Sequence, residues 1–481
     1  MATLTPFVEH LLRRAGFGAT PAERDRFAHY TYPVAVAALT DFDPSETDVD
    51  DKIGQPGYVS STIRSPNTII DEARQRWLFR MVHSPAPLQE RMALIWHHHF
   101  ATAYSKINGL VGQAEATRMM AAKPSTDPGG AKGQLELFRE HALGNFRTLL
   151  TEVAKNPAML YWLDGYLNFR AVPQENFGRE LMELFTFGIG NYTEQDVYAA
   201  ARVFTGWNVT NLRGGQPNAA RSFNYNAAQH DINAKTFTFA IYPDGGRTIP
   251  ARSAAAGMQD GIDLINALAI HPETARRLAR RLWTWFVSET DTADGQFVDN
   301  ISNVYLKNDT NMKPVIRAVL FSPQFLDSAR FYQRYSWPVE YVVRSLKEVG
   351  HVGFGLNSAL TPLVNMGQQL FEPPDVNGWD VGPGWFSTGG MLARMNFAST
   401  LTTNQRVALR TAASGSRETP EKLLSFCLEG LSIPEPSGDV RAALIDYINA
   451  GGAWTGSDAQ LNNKAPGLVH LLAGSGAFQI I

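Results

Sequence analysis

The chain has 481 residues, 44% of them hydrophobic and 19% charged, which is the balance of an ordinary folded protein long enough for two or three cores. A formal net charge of -3 without a long Lys/Arg run excludes the electrostatic footprint of a nucleic-acid binder, and no apolar run reaches the length of a membrane span. The single cysteine, Cys427 in LLSFCLEG, excludes an internal disulfide and a cysteine-rich metal site and reads as a buried thiol.

In chain order the dominant period is helical. The first residues, MATLTPFVEHLLRRAGFG, lack the basic-then-apolar order of a signal peptide, so the expectation is a cytoplasmic chain with no membrane insertion. Residues 5–16 form an amphipathic segment stopped by Gly16 and Gly18, and Thr20-Pro21-Ala22-Glu23 carries the N-cap, N1 proline and N3 glutamate of the next helix. Helical spacing then predicts Asp71 to Val82, Pro87 to Thr102, Gln134 to Lys155 and Thr193 to Phe204.

Between Asn208 and Ile249 the period changes. SFNYN and KTFTFAIYP alternate like short strands around an Asp244-Gly245-Gly246 turn, which predicts a small β-rich insert. Helical spacing returns from Met258 to about Gly350. The stretch EPPDVNGWDVGPGW, from Glu372 to Trp385, holds too many prolines and glycines for regular structure and reads as a loop. The expected fold is mainly α, a large multi-helix protein divided at 1–207, 208–255, 256–416 and 417–481, with 417–440 as the best linker.

Three constellations carry chemistry. In PQENFGRELMELF, Asn176, Glu180 and Glu183 stand at i, i+4 and i+7, one line on a helix whose other side carries Phe177, Leu181 and Leu184. Arg179 sits among them, where it can pair with one carboxylate and leave another for a metal or a proton. A solvated face laced with i,i+4 pairs is the competing explanation. In WHHHF, His99 continues the buried line of Leu88, Met92 and Ile95, and His97 lies on the adjacent line. Successive histidines diverge by roughly 100° on a helix, so at most two converge on one metal ion. The third is His230-Asp231 followed by Lys235, a loop pair able to act as acid and base. The basic run containing Arg276, Arg277, Arg280 and Arg281 reads either as a solvated helix face or as an anion site.

These motifs carry a family resemblance. HLLRRAGFG, WHHHFAT, LLTEVAKNPAMLYWLDG, QENFGRELMELFTFGIGNYTEQDVYAAARVFTGW, HDINAKTF and LFEPPDVNGWDVGPGW with LARMNFA occur in one order from about residue 9 to residue 400. The chain resembles the bacterial domain-of-unknown-function 1800 family. His97 and His99 match its Trp-His-Asn-His-Phe pattern while His98 replaces the usual Asn, and Gln174 replaces the first Asn of Asn-Glu-Asn. Arg179, Glu180, Glu183, Tyr192, Asp196, Arg202, Trp207, His230, Asp231, Lys235, Gly378, Trp379 and Trp385 match as well. The resemblance implies bacterial origin, frequent export, and a possible exported partner of the domain-of-unknown-function 1501 family. It implies no activity.

The leading expectation is a metal-assisted hydrolase or lyase in which His97, His99 and Glu180 hold a divalent metal ion and Glu180, Glu183, Arg179, His230 and Asp231 form the catalytic group. Asn176, Trp207, Lys235, Trp379 and Trp385 would bind substrate, with a saccharide or other polymer as the expectation. The alternatives are a metal-free carboxylate enzyme and a noncatalytic scaffold whose polar residues form a structural network.

Overall fold

The helix starts follow from their caps. In the computed structural model, which describes residues 3–210, 220–350, 353–403 and 414–481, Thr5 caps Pro6–Gly16 and Thr20 caps Pro21–Phe27. The second is the expected capping box: Glu23 N donates to Thr20 Oγ1 (3.2 Å) and Thr20 N to Glu23 Oε2 (2.7 Å). Between these helices the chain passes close against Pro338–Val349. Gly18 has φ +77°, and a Cβ there would stand 3.1 Å from Arg344 Cγ and closer to the Glu348 carboxylate.

The fold is mainly α, with two small two-stranded antiparallel sheets among the described residues. Asp71–Val82 and Pro87–Thr102 are realised as Ile70–His83 and Pro87–His99. The helix expected over Gln134 to Lys155 is two, Gln134–Glu140 and Phe146–Lys155, because Asn145 caps a fresh start by accepting from Thr148 N at 3.1 Å. In the insert, Trp207–Val209 pairs with Phe223–Tyr225, and Lys235–Thr236 with Thr248–Ile249. Phe237, Phe239 and Ile241 keep the alternating burial of a strand beyond that short ladder. The linker candidate 417–440 contains instead the helix Pro420–Gly430, capped by Thr419, with Leu423, Leu424 and Cys427 buried. Burial pushes the Cys427 thiol up to about 12.

A cluster of buried apolar side chains runs from Leu4 to Phe478, and charged side chains are threaded through it. Arg14 is fully buried and donates to the carbonyls of Phe286 (3.1 Å), Val287 (3.0 Å) and Arg330 (2.9 Å). Arg91 pairs with Glu340 and donates to Trp285 O at 3.3 Å. Arg334 joins Glu340 (2.8 Å) to Glu289 (3.1 Å), whose carboxylate accepts from Trp337 Nε1 (2.7 Å) and Gly382 N (2.8 Å). The motif HLLRRAGFG thus ties the N-terminal helix to the middle of the chain. Burial alone would push the Glu340 carboxyl up, but Arg334 and Arg91 outweigh it and hold the group at about 2.

Removing that charge leaves Arg91 without a carboxylate in the core and Arg334 with Glu289 alone. Glu340→Gln is expected to lower unfolding free energy by about 3–5 kcal/mol, measured by urea denaturation.

Candidate functional site

Two helices of this fold end in a wide π turn, and both turns face the histidine helix Pro87–His99. Asn176–Glu180 continues into the π turn Leu181–Phe185, and Pro272–Leu282 into the π turn Trp283–Val287. Such turns often occur at functional sites. Their carbonyls accept from buried side chains: Phe185 O from His99 (3.1 Å), Trp285 O from Arg91, and Phe286 O and Val287 O from Arg14.

The three histidines diverge as helix geometry requires, and all are buried. His97 Nε2 accepts from Phe371 N at 3.0 Å, and His98 Nδ1 accepts from Trp379 N at 3.1 Å. Arg281 Nη1 can only donate, so at 2.8 Å it makes His99 Nδ1 an acceptor and leaves Nε2–H to donate to Phe185 O. Burial lowers His97 to about 3; burial, Arg281 and His97 lower His98 to about 3; and burial, Arg281 and Arg277 hold His99 far below the usual imidazole value.

The two histidines of the expected ligand set His97, His99 and Glu180 thus have other partners. Both His99 nitrogens are engaged, a guanidinium stands against one of them, and His97 Nε2 serves a backbone amide. Among the described residues no group of three or more His, Cys, Asp or Glu side chains is arranged to hold a metal ion.

The His230-Asp231 pair, expected to act as acid and base, meets other partners. His230 is fully buried between Thr205 O (2.9 Å) and Asp260 Oδ2 (3.2 Å). Lys235 Nζ meets the same Asp260 at 2.5 Å, and Arg252 meets its other oxygen at 2.5 Å. Asp231 pairs with Arg202 at 2.7 Å; burial would raise its carboxyl, but Arg202 outweighs this and holds it at about 2. Lys235 is thus a buried structural cation and is unavailable to substrate. Asp260, the hub of this network, carried no sequence signal, since it lies among the ordinary helical residues of Met258–Ala269.

The tryptophans expected to line a cleft are core rings. Trp207 is 1% exposed and packs on Phe204 and Phe223 at 5.1 and 5.2 Å between ring centroids. Trp379 lies against His97 at 5.2 Å and stacks on His98 at 6.2 Å, while Trp385 packs on Trp337 at 6.1 Å. Gly378, with φ +88°, allows that approach, because a Cβ would stand 2.7 Å from His98 O. Asn176 is exposed and donates to Asp164 Oδ2 at 3.1 Å. Arg179 orients neither Glu180 nor Glu183; it makes a bidentate pair with exposed Glu194 at 2.8 and 2.7 Å and a longer bond to Glu175.

What the structure does bring together is a half-buried strip along the first π turn. Glu183 Oε2 accepts from Tyr192 OH at 2.5 Å. Glu180, half buried one turn earlier, has no hydrogen bond or ion pair among the described residues, and burial and the Glu183 charge raise its carboxyl. On the far side Arg277 donates to Leu184 O at 3.3 Å, and Arg281 reaches His99. The basic run divides accordingly: Arg276 pairs with Asp299 at 2.5 Å, Arg280 is exposed, and Arg277 and Arg281 turn inward. Helical phase in ETARRLARRL was the signal that separates these faces.

The family model described as protein of unknown function (DUF1800) matches residues 10–480, and the chain belongs to that family. No curated protein and no solved structure matches it. No helix among the described residues is long and apolar enough to cross a membrane.

The bond from Trp379 N explains how this chain departs from the family pattern at His98. An Asn side chain reaches the same amide through Oδ1, so His98→Asn is expected to stay within about 1 kcal/mol of the wild type, whereas His98→Leu should cost about 1–3 kcal/mol by leaving that amide unpaired. Stability is also expected to depend on pH. The unfolded histidines take up protons near 6.5, which His97 and His98 refuse in the folded protein until about 3. Stability is thus complete above that upper value and declines as pH falls through the interval, by about 1.4 kcal/mol per unit for each imidazole, as followed by urea midpoints.

Proposed function

We propose that Glu180, Glu183 and Tyr192 form a proton-transfer site and that the protein is an enzyme of the hydrolase or lyase kind with Glu180 as its acid/base group. The observation that carries this reading is the state of Glu180: desolvated, raised, and without a partner among the described residues. A carboxyl held this way weakens the fold, and its raised affinity for a proton suits it to acid/base work. Glu183 is fixed by the Tyr192 hydroxyl, so its charge stays beside Glu180, and that hydroxyl is a second proton-bearing group in reach of a substrate.

The two carboxylates lie on one side of one helical segment and cannot flank a glycosidic bond, so ordinary two-carboxylate glycoside hydrolysis is disfavoured. A single base that takes a proton from substrate carbon or from water fits better. The saccharide-polymer suggestion leaned on Trp207, Trp379 and Trp385, whose burial removes that support. A divalent metal ion fits the donor set poorly, since Glu180 and Glu183 supply two carboxylates where three or more protein ligands are usual, and Glu183 already acts on Arg277. Elemental analysis of untagged protein tests the metal-assisted alternative. The place of action, cytoplasmic or exported with a partner of the domain-of-unknown-function 1501 family, belongs to the proposal and rests on the family resemblance alone.

The test is Glu180→Gln. The variant is expected to keep its unfolding free energy within about 0.5 kcal/mol of the wild type, or to gain stability, while turnover found by screening the wild type against ester, lactone and hydroxy-acid panels falls at least about a hundredfold. A stability loss of about 1–3 kcal/mol would instead assign Glu180 to a structural network, the scaffold reading.

A further inference from the structure

Arg277 and Arg281 differ from several inward-facing arginines of this protein in what they meet, although buried Arg24, Arg76 and Arg394 likewise have no carboxylate within ion-pair distance among the described residues. Arg80 meets Asp50 and Glu136, Arg91 and Arg334 share Glu340, Arg344 meets Glu348 and four carbonyls, and Arg14 has three carbonyls. Arg277 and Arg281 have no carboxylate within ion-pair distance among the described residues. Arg277 makes one long bond, to Leu184 O at 3.3 Å, and its buried Nε has no partner. Arg281 uses Nη1 on His99 and sets its guanidinium 5.8 Å from the Trp285 ring. A guanidinium offers five N–H donors, so most of the donors on this pair are unengaged.

The two stand one helical turn apart, where like charges repel, and burial together with Arg277 lowers Arg281 to about 9. Both side chains are only partly covered. Glu183 acts on Arg277 from beyond ion-pair distance and offsets its charge only in part. Gly188, at φ +85°, brings its loop against Arg277, with any Cβ there 2.9 Å from Arg277 Nη1. Two adjacent guanidiniums, partly desolvated and without a full counter-charge, match an oxyanion held in bidentate fashion.

We propose that Arg277 and Arg281 form a binding subsite for an anionic oxygen group, a carboxylate or a phosphate, beside the Glu180–Glu183–Tyr192 strip. Its role as a substrate subsite rests on the proton-transfer reading; the binding itself does not. In that role the pair anchors the charged end of the substrate while Glu180 exchanges a proton at a neighbouring atom.

The test is calorimetric titration of the full chain with inorganic phosphate and, separately, acetate, at ionic strength held constant with sodium chloride. The expected result is saturable binding of one anion per chain, weakened at least about tenfold in Arg277→Gln and in Arg281→Lys, which keeps the charge but loses the fork. Arg280→Gln, on the exposed face of the same helix, should bind as the wild type does. Preference for phosphate or for acetate identifies the group. Absence of saturable binding of either anion to the wild type, or equal binding by Arg277→Gln and Arg280→Gln, overturns the proposal. Glu180→Gln separates the two readings: it should still bind the anion, so loss of turnover there with binding intact supports the subsite, while anion binding that fails in a wild type with Glu180-dependent turnover overturns the subsite alone.

Discussion

Buried arginines whose donors reach backbone carbonyls and shared carboxylates are the constraint on which the rest of the arrangement depends. Arg14 and Arg91 grip the carbonyls of the π turn Trp283–Val287, and Arg334 and Arg91 share Glu340. A guanidinium in the core is tolerable only when its donors are met, and the last carbonyls of a helix are groups that need donors. Each requirement answers the other. The result fixes the end of the Pro272–Leu282 helix against the histidine helix, and so sets Arg281 on His99 and His99 on the π turn that follows Glu180 and carries Glu183.

The polar residues of the chain fall into two physical classes. His97, His98, His99, His230, Asp231 and Lys235 are buried or paired, with ring nitrogens or charges directed at backbone amides, carbonyls or opposite charges. They order the Trp-rich loop, the π turns and the insert, the work of a polar network within an apolar core. Glu180, Arg277 and Arg281 are only partly covered and incompletely met. An unmet group in a partly desolvated place opposes folding, so its retention is the better mark of a ligand or a reaction. The histidine-rich motif, chemically the most suggestive on paper, belongs to the first class.

Much of the architecture was legible in the residues. The cap at Thr20, the burial of Cys427, the divergence of three successive histidines and the change of period after Asn208 all follow from local geometry, and all appear in the fold. The helix break at Asn145 was hidden because Gly144 and Asn145 sit inside an otherwise continuous apolar period. The site was less legible for two reasons. A tryptophan or histidine reads the same in sequence whether it lines a cleft or fills a core, and only the packing of Gly378 on His98 and of Trp207 among Phe204 and Phe223 decides between them. Asp260 gathers the His230 ring, Lys235 and Arg252 around one carboxylate, an association that spacing along the chain does not encode.

The central claim is that Glu180 is a partly desolvated carboxyl, without a partner among the described residues, beside Glu183. Its direct measurement is the carboxyl carbon titration of Glu180 by NMR, in the wild type and in Glu183→Gln. The account predicts a value above the ordinary 4.5 that moves back toward it when the Glu183 charge is removed. A value at or below the ordinary one, unchanged in Glu183→Gln, would mean that Glu180 has a stabilising partner and is part of the scaffold, and would contradict the assignment of the site.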